Sequence, residues 1–506
     1  MRNIQSSGTG FLIGAAAAGA CLLACGVMVI TGCANAPFKV LGGPGVSSRP
    51  EIPWTPPPSA AAGRSAFEGA AEKNARPPGI PKEYLARLDS LSLSDIVNIA
   101  LLNSSQTRQA WAQARAAAAL YGSQQGAFFP QINASLSANQ QQNSVAGGKL
   151  AYTERNVLAD ASFSWLILDW GGRISSVNET KYALFAADWT HDAAIQNVIL
   201  QVEQAYYGYF SAKSLHAAQQ ASVDEAATNL KAADERDKAG LGTTADVLQA
   251  RTALSQAKLS FESLAAQIMT TRGVLATAMG LPANTGFDVN VPVGAPPLDS
   301  ARISIGEFLD SAMRLRPDLA AAAAQARQAE AHAYTVLTQL FPSFSASGDV
   351  GRIYFSQQDK GSTTYNATVS LDIPLFFGFS RLHNLIAARA QADAARAGEK
   401  NFRDLVVLQV WTDYYNLESS GQMVRTSDDL LASAQQNHDV AAGRYGSGVG
   451  TIIDLLTAQA ALEGARAQQV QARAGWWTAA AQLAHDTGML TAVAAVKGRG
   501  VQTTGE

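Results

Sequence analysis

Charge is scarce in this chain. Asp, Glu, Lys and Arg make up 16% of its 506 residues, where an ordinary soluble domain carries about 25%. The charges nearly cancel to a formal −3, so the basic surplus that holds a phosphate backbone is missing and nucleic acid is excluded as a partner. Cysteine is scarcer still. Cys21, Cys25 and Cys33 are the only three, and their crowding at the N-terminus leaves no disulfide framework for the rest of the chain. Only Phe11 to Ile30 approaches the roughly 20 apolar residues of a membrane-crossing helix. A chain that enters a membrane elsewhere must do so as strands.

Signatures of chemistry are missing as well. There is no GxSxG, HExxH or phosphate-loop pattern, and the glycine runs at 240–242 and 446–450 lack the strand-to-helix setting of a nucleotide fingerprint. The six histidines form no pair at one-turn spacing and the seven methionines do not cluster. No metal site, cofactor or enzymatic activity is expected.

What is present begins with an address. Arg2 precedes a Gly/Ala/Leu/Val stretch ending Ile30-Thr31-Gly32-Cys33, the layout of a secretory signal. The small residue before Cys33 resembles a bacterial lipoprotein signal, which implies removal of 1–32 and acylation of Cys33. Leu22-Leu23-Ala24-Cys25 is a competing match, but the apolar stretch runs on past it to Ile30. Ala34 is not the aspartate of an inner-membrane retention signal, so the outer membrane is the expected destination. Ten of the 18 prolines fall between Pro37 and Pro81; residues 33–90 read as an acylated N-terminus and a proline-rich tether.

The rest of the chain is one unit written twice. Leu91-Ser92-Leu93-Ser94-Asp95-Ile96-Val97 recurs as Ile303-Ser304-Ile305-Gly306-Glu307-Phe308-Leu309, and Phe129-Pro130 as Phe341-Pro342, 212 positions later. Trp170-Gly171 aligns with Phe377-Gly378 at 207, and Tyr206-Tyr207, Asp246 and Gly280 with Tyr414-Tyr415, Asp454 and Gly488 at 208. Repeats at 91–289 and 290–490 follow, with 491–506 as a flexible tail. Nothing recurs at the 20 to 50 residues of a short-period solenoid.

Within each unit the hydrophobic period changes. Gln106 to Gly126 is rich in helix formers. Ile132, Ala134, Leu136 and Ala138 then alternate with Asn133, Ser135, Ser137 and Asn139, as a two-faced strand requires. Val157, Ala159, Ala161, Phe163 and Trp165 form the apolar face of a second strand, and the pair reads as a hairpin. Phe344, Ala346 and Val350, then Tyr365, Ala367, Val369, Leu371 and Ile373, repeat it. Such strands suit a barrel wall between lipid and water, or the layer of a soluble sandwich. No proline interrupts Arg173 to Ala239 or Arg381 to Tyr445, so each can be a single helix of about 100 Å. Ile199, Val202, Tyr206 and Tyr209, matched by Val407, Val410, Tyr414 and Leu417, have coiled-coil spacing. Glycine turns end both rods, and return helices follow at about 245–279 and 452–487.

This order of elements resembles the TolC-like family of outer-membrane efflux and secretion channels. The residues that carry the resemblance include Leu93 to Val97, Phe129-Pro130, Asp169-Trp170-Gly171-Gly172, Gly242 to Leu248 and Gly450 to Leu456. The fold it implies is mainly α with membrane β: a long α-helical coiled-coil barrel, and four β-strands per protomer contributing to a trimeric 12-stranded transmembrane barrel. Physical reasoning agrees, because four strands cannot close a barrel and open edges cannot face lipid. The resemblance further implies a homotrimer in contact with outer-membrane lipid and extending into the periplasm, with the 143–154 and 356–363 loops outside the cell. The function implied is that of a passive exit duct for a periplasmic adaptor and an inner-membrane pump. Protein export as a type I secretion channel, or a periplasmic coiled-coil lipoprotein scaffold, are the alternatives.

Candidate site residues follow from the same resemblance. Asp454 matches a position whose carboxylates ring the periplasmic entrance and Tyr445 a tip tyrosine, with Asp246 in the equivalent place of the first repeat. Thr457 and Gly450 depart from the family's second acid and latching arginine. Asp246 and Asp454 also read as helix caps beside Thr243 and Thr451, and Tyr445 as simple packing. The turns at Gly240, Gly242, Thr243, Gly448, Gly450 and Thr451 are the expected adaptor contacts. Phe128, Phe129, Trp170, Phe341, Phe376, Phe377 and Phe379 read as a periplasmic aromatic girdle or as a strand–helix core. Tyr206, Tyr207, Tyr414, Tyr415, Trp476 and Trp477 are expected to pack helices.

Overall fold

The computed structural model describes residues 47, 49–54, 79–81, 84–85, 90–145, 147, 150–289, 296–298, 304–356 and 360–490. The signal, Cys33, most of the tether and the tail lie outside them. Each repeat opens with a helix pair bent at one residue. Helices α1 (Leu93–Asn103) and α2 (Ser105–Gln125) meet at Ser104, which caps α2 by accepting from Thr107 N–H. Ser92 caps α1, and Asp95 reciprocates by accepting from Ser92 N–H. In the second repeat, α5 (Ile305–Leu315) starts at Ser304 and α6 (Pro317–Thr338) starts with proline, whose fixed φ and missing donor suit the first helical turn.

Strands β1 (Gln131–Val145), β2 (Leu150–Leu168), β3 (Ser343–Phe355) and β4 (Ser362–Asp372) form one antiparallel sheet in chain order. Its register sorts the side chains by chemistry. Ile132 lies opposite Phe163, Phe163 opposite Gly348, and Gly348 opposite Ala367. One residue along, Asn133, Ser162, Asp349 and Asn366 form the other face. None of the described helices packs on either face, and Ile132, Leu136, Val350, Tyr365, Val369 and Leu371 stand exposed on the protomer. The sandwich alternative is thereby excluded. The strands also run further than expected: residues 143–145 and 150–154, read as loop, belong to the β1–β2 ladder.

The rods are α3 (Gly172–Lys238) and α7 (Ser380–Gly446), 67 residues each, and the return helices α4 (Thr244–Ala278) and α8 (Ile452–Asp486) have 35 each. None of the described helices is both long and apolar enough to cross a membrane. Near the sheet α3 packs between α2 and α6, and towards the tips it packs against α4 and α8, while α7 packs on α6 and α8. The main apolar core sits at mid-height, where Ile195, Ile199, Val202, Tyr206 and Tyr209 of α3 meet α1 and the end of α4. In α7 the seam is turned from its expected place. Val407 is 37% exposed, whereas Val406 and Val410, four residues apart, are sealed against Phe308 and Ala312 of α5, with Tyr414 and Leu417 half-buried beside them.

The junction of strand and rod corrects the alignment of the repeats. The residue before α3 is Gly171 and the one before α7 is Phe379, both left-handed, each preceded by a second left-handed residue, Trp170 and Gly378. The structural offset is therefore 208, with Trp170 matching Gly378 and Gly171 matching Phe379. Phenylalanine occupies a conformation that glycine occupies in the other repeat.

Candidate functional site

The far ends of the rods carry one turn, built twice. Gly240 and Gly448 take positive φ of 72° and 79°, so the chain can reverse while the last carbonyls of the rod are satisfied: Leu241 N–H donates to Arg236 O and Val449 N–H to Arg444 O. Gly242 and Gly450 pass close to the backbone of their rods; a Cβ at 450 would meet Tyr445 N at 3.1 Å. The return helices then start with full capping boxes. Thr243 accepts from Asp246 N–H while Asp246 accepts from Thr243 N–H, and Thr451 and Asp454 do the same. The cap reading of both acids is therefore a fact of the structure. It leaves the carboxylate of Asp454 exposed, held below the ordinary carboxylate range by the backbone and hydroxyl of Thr451, with Arg444 assisting.

Tyr445 is buried among Ala233, Val247, Ile452 and Leu455, from both repeats. Over its ring lies a residue that the sequence analysis did not single out. The Arg236 guanidinium sits 4.9 Å from the ring centroid, and its Nη1 donates to Tyr445 O at 2.8 Å. Burial pushes the Tyr445 phenol up and Arg236 pulls it back. No latching arginine occupies position 450, but one reaches across from the first rod. The available signal was that Arg236 and Arg444 are repeat partners, each in the last turn before a glycine reversal. Leu241, Leu248, Val449 and Ile453 are exposed apolar side chains at the same tips.

At the other end the aromatic residues around the sheet are all exposed, from Phe128 at 38% to Phe376 at 72%. They do not form an ordinary core. Trp170 and Phe341 stand 6.3 Å apart and Phe376 and Phe379 5.4 Å apart. Each rod contributes its repeat-matched arginine: Arg173 lies over Phe128 and Arg381 over Phe377. Of the aromatics expected to pack helices, Tyr206, Tyr207 and Trp476 are buried, whereas Tyr415 stands 45% exposed.

The sheet and the tips are two uncovered ends joined by 67-residue rods, and sequence comparison says what such a chain is similar to. Residues 96–281 and 308–489 match the outer membrane efflux protein family. The chain belongs to this family. Protein CyaE of Bordetella pertussis is 29% identical over 445 residues, 86% of this chain and 89% of its own. The pyoverdine export outer membrane protein OpmQ of Pseudomonas aeruginosa is 25% identical over 405 residues, 75% and 81% of the two chains. Among solved structures, the outer membrane protein VceC of Vibrio cholerae superposes with a TM-score of 0.70 at 18% identity, over 78% of this chain and 96% of that one. The CmeC outer membrane channel of Campylobacter jejuni does so at 0.69 and 18%, over 84% and 90%. This efflux protein is thus an outer-membrane channel subunit, its sheet in the membrane and its rods in the periplasm.

Proposed function

We propose that three copies of this chain form the exit duct of a tripartite efflux system, passively conducting what a periplasmic adaptor and an inner-membrane pump deliver. The observation that carries the reading is the sheet. Among the described residues, both of its edge strands lack a partner on their outer side and its apolar face is bare. In lipid every backbone donor must be paired, so the edges have to meet those of identical neighbours; three sets of four strands make a closed barrel of 12. The rods then enclose a tube in continuation of the pore. Phe128, Phe129, Trp170, Phe341, Phe376 and Phe377 form the girdle at the periplasmic boundary, and an acyl chain on Cys33 adds a second hold on the membrane.

Gating belongs to the tips. Threefold symmetry brings three Asp454 carboxylates around the entrance, where they capture cations and disfavour anions. Tyr445 and Asp246 support that ring, and the turns at Gly240, Gly242, Thr243, Gly448, Gly450 and Thr451 dock the adaptor, whose apolar contacts would be Leu241 and Val449. Cargo is chosen by the pump: relatives are named for pyoverdine export and for toluene efflux. The test is purified protein in planar bilayers. Heat-modifiable trimers with ion conductance are expected, and block by a divalent cation should weaken in Asp454→Ala. A monomer without conductance would refute the duct, and unchanged block would refute the ring alone.

A further inference from the structure

The segment containing Ser47 and residues 49–54 lies on α3 well away from the sheet, over an unusual set of buried groups. Trp111 Nε1 donates to Ser47 O at 2.8 Å, His191 Nε2 to Pro50 O at 2.7 Å, and Trp54 N–H to Asp192 Oδ1 at 2.6 Å. The Trp54 ring rests on Phe185 and Trp189. Beneath it, Leu184, Asp188, His191 and Ile195 follow a single sealed stripe of α3. A carboxyl and an imidazole thus occupy places where the flanking turns have leucine and isoleucine.

These groups are poorly compensated. Both oxygens of Asp188 and Nδ1 of His191 have no hydrogen-bond partner among the described residues, and His191 Nδ1 stands 3.6 Å from Asp192 Oδ1. No trio of acids and histidines among the described residues has the arrangement to hold a metal ion. The contact register, set by Glu179 with His332 and by Arg173 with Ala127, brings α2 and α6 to this stretch with alanines inward: Ala110, Ala114, Ala321 and Ala324 are buried. Arg108, Arg115 and Arg327 on those helices are exposed. Lys181 stacks on Phe185; on the α3/α6 seam Glu179 is taken by His332, and Asp318 by Arg316. The segment itself brings Glu51, within 4.0 Å of the exposed Arg49. Among the described residues, no cation answers the two carboxyls.

We propose that this segment is a proton-dependent clasp, docked on α3 while Asp188 and Asp192 are protonated and released when both ionise. Burial, reinforced by the neighbouring Asp192, raises Asp188 to about 9; burial raises Asp192 to about 7 against the opposing Trp54 N–H. His191 is lowered by burial, against Pro50 O and Glu51, so it stays neutral in this range and cannot offset the new charges. With both carboxyl pKa values raised in the docked state, docking is fully favourable at acid pH. It weakens as pH rises above the ordinary carboxylate value of 3.8, the share of Asp192 being fully lost by about 7 and that of Asp188 by about 9. The N-terminal arm would then hold the rod under acid conditions and swing free of it under alkaline ones.

Hydrogen exchange on the full-length membrane-extracted protein, corrected for the base-catalysed intrinsic rate, tests this. Protection of the Ile52 and Trp54 amides should fall on the order of tenfold or more between about pH 6 and about pH 9.5, while the 195–209 stretch of α3 keeps its protection. In the isosteric Asp188→Asn/Asp192→Asn variant the segment should stay protected throughout, and Trp54→Ala supplies the undocked level. Full protection of the wild type at the alkaline end, or loss in the double variant parallel to wild type, would overturn the clasp.

Discussion

Arg236 shows how much one side chain can contribute when symmetry is imperfect. Its repeat partner Arg444 stays on its own turn near Asp454, whereas Arg236 crosses to Tyr445, joining the two tips by a cation–π contact and a hydrogen bond. At a partly exposed site the pair of contacts is worth about 1–2 kcal/mol. Arg236→Ala should therefore loosen the tips without touching the barrel: higher or noisier conductance in bilayers, with trimer heat stability unchanged. Arg236→Lys should restore part of the closure, since a lysine keeps the charge over the ring but not the fork that reaches Tyr445 O. Conductance identical to wild type in both variants would show that the link carries no closing force. Its repeat match with Arg444 before the glycine turn was visible in the sequence, but nothing there pairs it with Tyr445, 209 positions away on another helix. Asp454 and Asp246 were legible as caps, since Thr-x-x-Asp after a glycine turn is a local signal.

At the scale of elements, what was legible is what has a period. The rods needed only the absence of proline over 67 residues, and the sheet faces needed only strict alternation. The misread places lack a local signal. Residues 139–144, Asn-Gln-Gln-Gln-Asn-Ser, are polar on both faces, so alternation vanishes there although backbone pairing continues. Val407 matches the buried Ile199 in the repeat, but α7 buries only the counterparts of Val198 and Val202, Val406 and Val410, where it packs on α5. The junctions hold a prediction. Phe379 sits at φ 64°, a conformation that costs a bulky residue about 1–2 kcal/mol. Phe379→Gly should raise thermal stability if that cost exceeds the contact with Phe376, and Gly171→Phe should lower it. For the sheet, Val350→Lys puts a charge at mid-strand on the apolar face and should cost about 2–4 kcal/mol in membrane assembly. Asn366→Lys, on the other face, should leave trimer yield near wild type. Equal loss in both would mean that the two faces do not see different solvents.

Over the whole molecule, apolar burial declines along the rods. At mid-height α3 buries Ile195, Val198, Ile199, Val202, Tyr206, Tyr207 and Tyr209 against Leu275 and Met279. Further down, the sealed positions of α3 are Ala212, Gln219, Ser222, Ala226, Asn229 and Ala233, with Ala250, Ala257 and Gln459 also buried on neighbouring helices. Asn229 Nδ2 donates to Gln459 Oε1, and Gln219 Nε2 to Ala257 O. Each methylene removed from water contributes about 0.8 kcal/mol, so a seam of alanine and amide gains a fraction of what one of leucine and tyrosine gains. The lower half is held by close approach and polar pairing, with a small cluster around Tyr445 and Leu455 fastening the extreme tip. Regions with little buried apolar surface open at lower free energy than the core they adjoin. The proposed gating, in which the tube widens at its periplasmic end while its barrel stays closed, needs that gradient. Amides in 215–235 and 425–440 should therefore exchange faster than those in 195–210 and 270–280, and Leu455→Ala should accelerate only the lower set. Leu275→Ala, in the mid-height core, should cost 2–5 kcal/mol and accelerate both. Exchange that is uniform along the rods, or slowest in the alanine seam, would mean that the tips move as rigid levers about the mid-height core and do not loosen helix by helix.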